Sequence, residues 1–231
     1  MGKEKAVLNF ANSESEKIFV LKEHALIGIS PFNSYYSEEN LKKIFSWGVS
    51  TFKRINICIP DGISMYTLQA MGYSQEKAEK KTKLHDNNLK NKAIRALVAN
   101  NIPEVEANNM IVFISELMKN ERYLKFHDTY KKLYETNEDF RKGCLATSKI
   151  VLASKGFQGD ADDEAVRVAV KYFIAELPIY LNTAEILNVS SSLYVYKDLP
   201  SEFLMKIYNK ESQFSSNVSL KQGYSAVKFI E

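Results

Sequence analysis

Two short runs of consecutive apolar residues stand early in the chain, and a turn residue closes each of them. Residues 24–30 read HALIGIS, and residues 54–60 read RINICIP. Such β-branched runs are typical of strands that lie buried in a mainly parallel sheet. Between them, apolar residues recur at helical spacing after Ser37, a residue type that caps helix N-termini. The pattern predicts a β-α-β unit.

Helical patterns dominate the middle of the chain. Residues 74–98 form a long polar stretch, and residues 115–157 are typical of two helices with a break near Asn137. The apolar run at 110–114 is compatible with either a strand or the start of a helix, because so short a run shows no clear period. The strongest helical pattern covers residues 162–187, with acidic residues in its first turn as the helix dipole favours.

The fold class follows from the alternation of these elements. The last predicted strand is SSLYVYKDLP at residues 191–200, and a short terminal helix begins at Pro200. Strands that alternate with helices favour an α/β fold wound around a parallel sheet. We expect residues 1–231 to form a single domain, because 45% of the residues are hydrophobic and the length is ordinary for one core.

Composition narrows the function classes only a little. A net charge of +3 is too weak by itself to indicate a nucleic-acid-binding protein. Cys58 and Cys144 form no CxxC pair, and the histidines are scattered, so we expect no metal site and no disulfide framework. Residues 1–10 lack the apolar core of a signal peptide, and no apolar run has the length of a membrane span. We therefore expect a soluble, cytoplasmic protein.

Ser30 stands where the first predicted strand ends. In α/β folds, ligands bind beyond the carboxyl ends of the strands. Period-two alternation puts Leu26 and Gly28 on the face of Ser30, and Gly28 leaves room for a ligand beside the hydroxyl. The alternative is that Ser30 only caps the turn before Pro31.

Two pairs of polar residues are further candidates for a site. Tyr172 and Glu176 stand four apart, so on a helix they share one face. Pro178 should bend that helix just past the carboxylate. Glu176 has apolar neighbours, so it is either exposed on a polar stripe or buried with a partner. Tyr194 and Tyr196 share one face of the last predicted strand, where tyrosines are usually core residues with hydroxyls at the rim.

Taken together, these motifs resemble the signatures of a known family. Residues 28–35, GISPFNSY, are similar to the first signature of the cyclodipeptide synthases, and residues 172–178, YFIAELP, match the second at the expected distance. The resemblance covers essentially the whole chain. It implies a Rossmann-type parallel sheet flanked by helices, like the catalytic domain of class I aminoacyl-tRNA synthetases. It also implies that neither ATP nor another cofactor is used.

The resemblance further implies an aminoacyltransferase with two aminoacyl-tRNA substrates. Ser30 attacks the ester of the first one and becomes aminoacylated. The second aminoacyl-tRNA gives a dipeptidyl-enzyme, which closes to a 2,5-diketopiperazine. By the same resemblance, Tyr172 and Glu176 hold the α-ammonium group of the first aminoacyl group, and Asn33 bonds nearby. Tyr196 positions the reacting ester or relays a proton.

The expected pocket walls beside Ser30 suggest which amino acid is used. The candidates for substrate binding, besides Asn33, are Leu26, Gly28, Cys58, Ile179 and Tyr194. This lining offers no charged partner, so it favours a hydrophobic side chain. We expect leucyl-tRNA as the substrate and cyclo(Leu-Leu) as the product.

The polar stretch at 74–98 carries seven basic residues against three acidic ones. The basic residues are Lys77, Lys80, Lys81, Lys83, Lys90, Lys92 and Arg95. On a helix they form a broad positive face that either follows phosphates or is a solvated surface. In the family that the chain resembles, the corresponding helix contacts tRNA.

We expect a monomer without a membrane partner. Two other functions stay open, namely transfer of an amino acid to another acceptor and tRNA binding without catalysis.

Overall fold

A computed structural model describes residues 5–161 and 163–230 of the chain. Within these residues, six strands form one sheet in the order β1-β6-β5-β2-β3-β4. The strands are β1 (Lys5–Phe10), β2 (His24–Gly28), β3 (Arg54–Ile59), β4 (Ile111–Phe113), β5 (Ser192–Tyr196) and β6 (Gln222–Ile230). Neighbouring strands are parallel except β1 and β6, which pair antiparallel.

Helices cover both faces of this sheet. They are α1 (Ser13–Leu21), α2 (Glu38–Thr51), α3 (Met65–Ala70), α4 (Gln75–Val98), α5 (Glu104–Met110), α6 (Ile114–Leu117), α7 (Glu121–Thr136), α8 (Glu138–Ala153), α9 (Glu164–Ile186) and α10 (Glu202–Tyr208). The predicted α/β fold class is confirmed. In the described ranges, no helix combines the length and the apolar character that crossing a bilayer requires.

The predicted β-α-β unit is confirmed as β2, α2 and β3. The backbone N–H of Asn40 donates to the Ser37 hydroxyl at 3.3 Å, so Ser37 caps α2 as its residue type predicts. Strand β2 ends at Gly28, two residues earlier than predicted, and the Ile29 N–H still donates to the Cys58 carbonyl at 3.1 Å. The break near Asn137 is also confirmed, because the Asn137 side chain caps α8.

The sequence pattern did not predict strands β1 and β6. The expectation that residues 191–200 form the last strand is therefore wrong. β6 follows β5 and lies between β5 and β1. Its sequence, QGYSAVKFI, mixes glycine and polar residues with apolar ones, which hides a strand whose first six residues are all buried. The run at 110–114 contains both of its alternatives, since β4 passes directly into α6.

The predicted bend at Pro178 is wrong in its position. Residue 178 lies inside α9, and the non-helical backbone is at Asn182, where φ is −145° and ψ is 23°. Side-chain hydrogen bonds hold Asn182 there, since Tyr130 donates to its Oδ1 and its Nδ2 donates to the Asn217 carbonyl at 3.0 Å. The predicted start of this helix at Asp162 lies outside the described residues.

Side chains alternate between two cores on the opposite faces of the sheet. Leu26 and Tyr194 point to the face that α7, α8, α9 and α10 cover. Ile27 and Val195 point to the other face, against α2 and α4. From β2 the chain continues to β3 and β4 on one side, whereas β5 and β6 lie on the other side. The carboxyl ends of β2 and β5 therefore form the switch point, where α/β sheets bind ligands.

Candidate active site

A cavity of about 420 Å³ opens at this switch point. Such a volume suits a small organic group. The four predicted catalytic residues all line it, together with three of the predicted substrate-binding residues. These lining residues are Ser30, Tyr172, Glu176, Tyr196, Asn33, Cys58 and Tyr194. The structure thus brings together side chains that the sequence separates by up to 166 positions (196 minus 30).

Ser30 and Tyr196 meet because their strands, β2 and β5, are neighbours. Ser30 is partly buried, and its hydroxyl lies 3.5 Å from the Pro31 carbonyl, at the outer limit of a hydrogen bond. Burial raises the pKa of Tyr196 above its ordinary value, and a hydrogen bond with Ser30 lowers it in part. At neutral pH the phenol is therefore protonated beside the serine.

Glu176 is buried, with 8% of its surface exposed, so the alternative of a buried and paired carboxylate is correct. The Tyr180 hydroxyl donates to its Oε2 at 2.5 Å. Burial raises the pKa of Glu176 to about 7, although hydrogen bonds from Tyr180 and Tyr172 lower it. A buried carboxyl group without hydrogen bonds would have a still higher pKa. The hydrogen bonds from the two phenols therefore keep the pKa of Glu176 near neutral pH.

Tyr180 and Tyr224 also line the cavity, and sequence reasoning missed both. Tyr180 continues the spacing of Tyr172 and Glu176 by four more residues, so extending that helical face would have found it. Tyr224 lies on β6, and without that strand nothing in the sequence connects it to the site. Its ring centroid is 5.3 Å from that of Tyr194.

The predicted role of Gly28 is wrong, because no ligand space lies beside it. A Cβ at this position would overlap the Tyr194 hydroxyl and lie 2.6 Å from Cζ of the same ring. Glycine is needed here so that Tyr194 can pack against the strand. Leu26 and Ile179 are also not among the cavity-lining residues and belong to the core beneath it.

Asn33 uses its side chain within its own loop. Its Oδ1 accepts a hydrogen bond from the Tyr35 backbone N–H at 3.1 Å. Asn33 is one of the residues that line the cavity, and with Oδ1 bonded inside the loop, its amide group still has Nδ2, which can only donate. Such a group suits a carbonyl oxygen better than an ammonium ion.

The predicted basic residues all lie on α4, but they differ in their surroundings. Lys77, Lys80 and Lys83 are exposed, and among the described residues no ion pair involves them. Lys81 donates to the Tyr73 hydroxyl at 3.0 Å. The lysines near the start of the helix therefore form its open positive surface.

The later basic residues of α4 contact the protein itself. Lys92 donates to the Tyr36 carbonyl at 3.1 Å, and the Arg95 Nε donates to Glu38 at 2.8 Å. The Lys90 ammonium lies 5.6 Å from the centroid of the Phe113 ring. Across the residues that the structure describes, no group of three or more His, Cys, Asp or Glu side chains is placed to hold a metal ion.

The fold and the site define an α/β transferase domain related to the type I tRNA synthetases. A solved structure from Mycobacterium tuberculosis, described as demonstrating that cyclodipeptide synthetases are related to those synthetases, superimposes with a TM-score of 0.83, at 26% identity over 99% of this chain and 95% of that one. The family model for cyclodipeptide synthases matches residues 8–229. The chain belongs to the cyclodipeptide synthase family, whose members use aminoacyl-tRNAs.

Individual relatives differ in their products. A cyclo(L-leucyl-L-leucyl) synthase of Staphylococcus haemolyticus is 30% identical over 94% of this chain and 92% of that protein. A cyclo(L-tyrosyl-L-tyrosyl) synthase of Mycobacterium tuberculosis is 31% identical over 75% of this chain and 60% of that protein. Family membership therefore leaves the amino acids to be argued from the cavity.

Proposed function

We propose that this cyclodipeptide synthase joins two leucyl groups, taken from two leucyl-tRNAs, into cyclo(Leu-Leu). The apolar wall of the cavity carries this proposal. The apolar residues that line the cavity include Ile29, Cys58, Ala169 and Phe173. A leucine side chain needs only such contacts, whereas a buried phenol or charge needs a hydrogen-bonding partner. The product of the Staphylococcus haemolyticus relative supports the same choice.

The first half-reaction forms an ester on Ser30. Its Oγ attacks the carbonyl carbon of leucyl-tRNA, the bond from that carbon to the ribose oxygen breaks, and the ribose hydroxyl leaves with the serine proton. The proton passes directly or through Tyr196, which shares a hydrogen bond with Ser30. Nδ2 of Asn33 donates to the carbonyl oxygen as negative charge develops there.

The direction of the second half-reaction follows from a dipeptidyl-enzyme intermediate, in which the dipeptide stays on Ser30. The amine of the serine-bound leucyl group attacks the ester of the second leucyl-tRNA, and the second tRNA leaves. This gives a dipeptidyl group that remains on Ser30, and attack in the opposite sense would instead release Ser30 and leave a dipeptidyl-tRNA. The new terminal amine then attacks the serine ester, which closes the six-membered ring and frees the hydroxyl.

Glu176 serves both half-reactions in this proposal. As a carboxylate, it holds the α-ammonium group of the bound leucine, with Tyr172 on the same helical face. An ammonium ion must lose a proton before it can attack, and a carboxyl group with a pKa of about 7 is suited to receive it. The same residue therefore binds the cation and then prepares the amine.

The test is incubation of the protein with leucyl-tRNA, phenylalanyl-tRNA and tyrosyl-tRNA, separately and in pairs, with the products identified by mass spectrometry. We expect cyclo(Leu-Leu) to predominate and a leucyl adduct on the protein that Ser30→Ala removes. A predominant tyrosine-containing product would overturn the choice of substrate. Transfer of leucine to another acceptor, or an adduct that survives in Ser30→Ala, would overturn the mechanism.

A further inference from the structure

The loop after Ser30 contains a residue in an uncommon backbone conformation. Phe32 has a φ of 57°, in the left-handed region that non-glycine residues seldom occupy. Such a conformation persists only where the surrounding structure holds it. Phe32 also lines the cavity, two residues from the Ser30 hydroxyl. Whatever holds Phe32 therefore bears on where the nucleophile lies.

The contact that holds Phe32 comes from helix α4. The ring centroids of Phe32 and His85 are 4.2 Å apart, and the rings are tilted by 58°. His85 is partly buried, and burial followed by the charges of Lys81 and Lys92 lowers its pKa. At neutral pH the imidazole is therefore uncharged, which suits packing on an apolar ring.

Two further residues on the same face of α4 hold the end of this loop. Lys92 donates to the Tyr36 carbonyl, and Arg95 pairs with Glu38 in the first turn of α2. His85, Lys92 and Arg95 are spaced by seven and three residues, which places them along one side of a helix. One face of α4 thus spans the loop from Phe32 to the start of α2.

The exposed lysines of the same helix, Lys77, Lys80 and Lys83, precede this face by up to two turns. An α-helix transmits position rigidly over such a distance, since each residue adds about 1.5 Å. A tRNA phosphate held on those lysines would have a fixed distance to the loop that carries Ser30. Helix α4 is therefore shared between the substrate surface and the nucleophile loop.

We propose that His85 is a positioning residue for Ser30, which holds Phe32 so that the serine hydroxyl meets an ester delivered by tRNA bound on α4. The inference rests on the proposed function, in which Ser30 is acylated. It assigns no proton transfer to His85. The imidazole acts through its ring contact with Phe32, and another flat ring of similar size can replace it.

The experiment measures the leucyl adduct on Ser30 in a single turnover, by quenching and intact-protein mass spectrometry. We expect His85→Ala to slow adduct formation roughly tenfold or more, because small displacements of a nucleophile cost that much. His85→Phe keeps a ring on Phe32 and should restore most of the rate. The affinity for uncharged tRNA should change by no more than about twofold in either variant, because phosphate contacts carry it.

His127→Ala is the matched control, because His127 also stacks on an aromatic ring, that of Tyr123 at 5.9 Å, but on α7 and outside the cavity wall. It should acylate at the wild-type rate. Phe32→Ala should resemble His85→Ala, and the double variant should be no slower than either single one. A wild-type rate in His85→Ala, or equal losses in His85→Phe and folded His85→Ala, would overturn the inference.

A readout without catalysis separates this inference from the proposed function. Hydrogen exchange of the backbone amides of residues 32–36 should be faster in His85→Ala than in the wild type, and unchanged in His127→Ala. If the wild-type protein formed no adduct on Ser30, the proposed function would fail and the positioning role with it. If the adduct formed, but neither the hydrogen exchange of the loop nor the rate of adduct formation changed in His85→Ala, only the inference would fail.

Discussion

The hydroxyl of Tyr180 donates a hydrogen bond to Oε2 of Glu176 at 2.5 Å, one turn further along α9. Tyr172 approaches the same carboxylate from the preceding turn. A carboxylate held between two phenols has its negative charge stabilised without a cation. Glu176 is also one of the residues that line the cavity, which suits a substrate that brings its own ammonium group.

Tyr180→Phe should move the pH dependence of the enzyme. Removal of the hydroxyl takes away a hydrogen bond that lowers the pKa of Glu176, so that pKa rises above about 7. The acidic limb of kcat/KM should therefore shift to higher pH by roughly one unit, the size that one charge-assisted hydrogen bond allows. Tyr123→Phe is the control, because the Tyr123 hydroxyl donates to the Ala175 carbonyl on the same helix at 2.6 Å. An unshifted profile in Tyr180→Phe would contradict the role of this bond.

Glu176→Gln should stabilise the fold at alkaline pH while it abolishes product formation. The pKa of Glu176 is about 7 in the folded chain and 4.5 in the reference state, so the folded state binds the extra proton between these values. Stability is therefore lost as the pH rises from 4.5 through 7, to an extent of at most about 3 kcal/mol. Urea unfolding of the wild type and of Glu176→Gln at pH 5 and pH 8.5 measures the difference in their free energies of unfolding. An equal difference at both pH values would refute the prediction.

Gly28→Ala should damage the site without unfolding the chain. The added methyl group overlaps the Tyr194 hydroxyl, so the Tyr194 ring must leave its place in the cavity wall. We expect adduct formation on Ser30 to fall by roughly a hundredfold, as for other displacements next to reacting groups. The double change Gly28→Ala with Tyr194→Leu removes both the overlapping oxygen and the ring carbon 2.6 Å from the methyl position, and it should recover part of the rate. No recovery would show that the methyl group acts by another route.

Replacement of Lys77, Lys80 and Lys83 by alanine should weaken tRNA binding and reduce its salt dependence. Each phosphate contact contributes roughly 0.7 to 0.9 to the slope of log affinity against log salt, so the slope should fall by about 2 to 3. Filter binding of tRNA across a salt series gives this slope. The matched control changes three exposed lysines of α7, which are Lys125, Lys131 and Lys132. Equal losses in both triple variants would remove α4 from the binding surface.

Local patterns in the sequence predict the part of the fold that carries Ser30. The run of β2, the cap at Ser37 and the helical spacing of α2 all depend on neighbours in the chain, so their periods are visible. β6 is not visible, because its burial comes from lying between β1 and β5 and not from its own composition. For the same reason, Tyr224 could not be assigned to the site.

The candidate site was predictable where a motif fixed it and not where packing decided it. Spacing alone put Tyr172 and Glu176 on one face, and one more step of four would have added Tyr180. The misassigned role of Gly28 depends on a ring from the neighbouring strand, which no local pattern reports. The bend at Asn182 likewise depends on hydrogen bonds with Tyr130 and Asn217, which are distant in sequence.

The position of β6 between β1 and β5 determines when the sheet can be completed during synthesis of the chain. A polypeptide emerging from the ribosome cannot complete this sheet until residues 222–230 have left the exit tunnel, and Tyr224 is missing from the cavity until then. An unfinished chain therefore lacks the part of the cavity wall that Tyr224 forms. A chain stalled before β6 should form no leucyl ester on Ser30, which capture of stalled complexes with leucyl-tRNA would reveal.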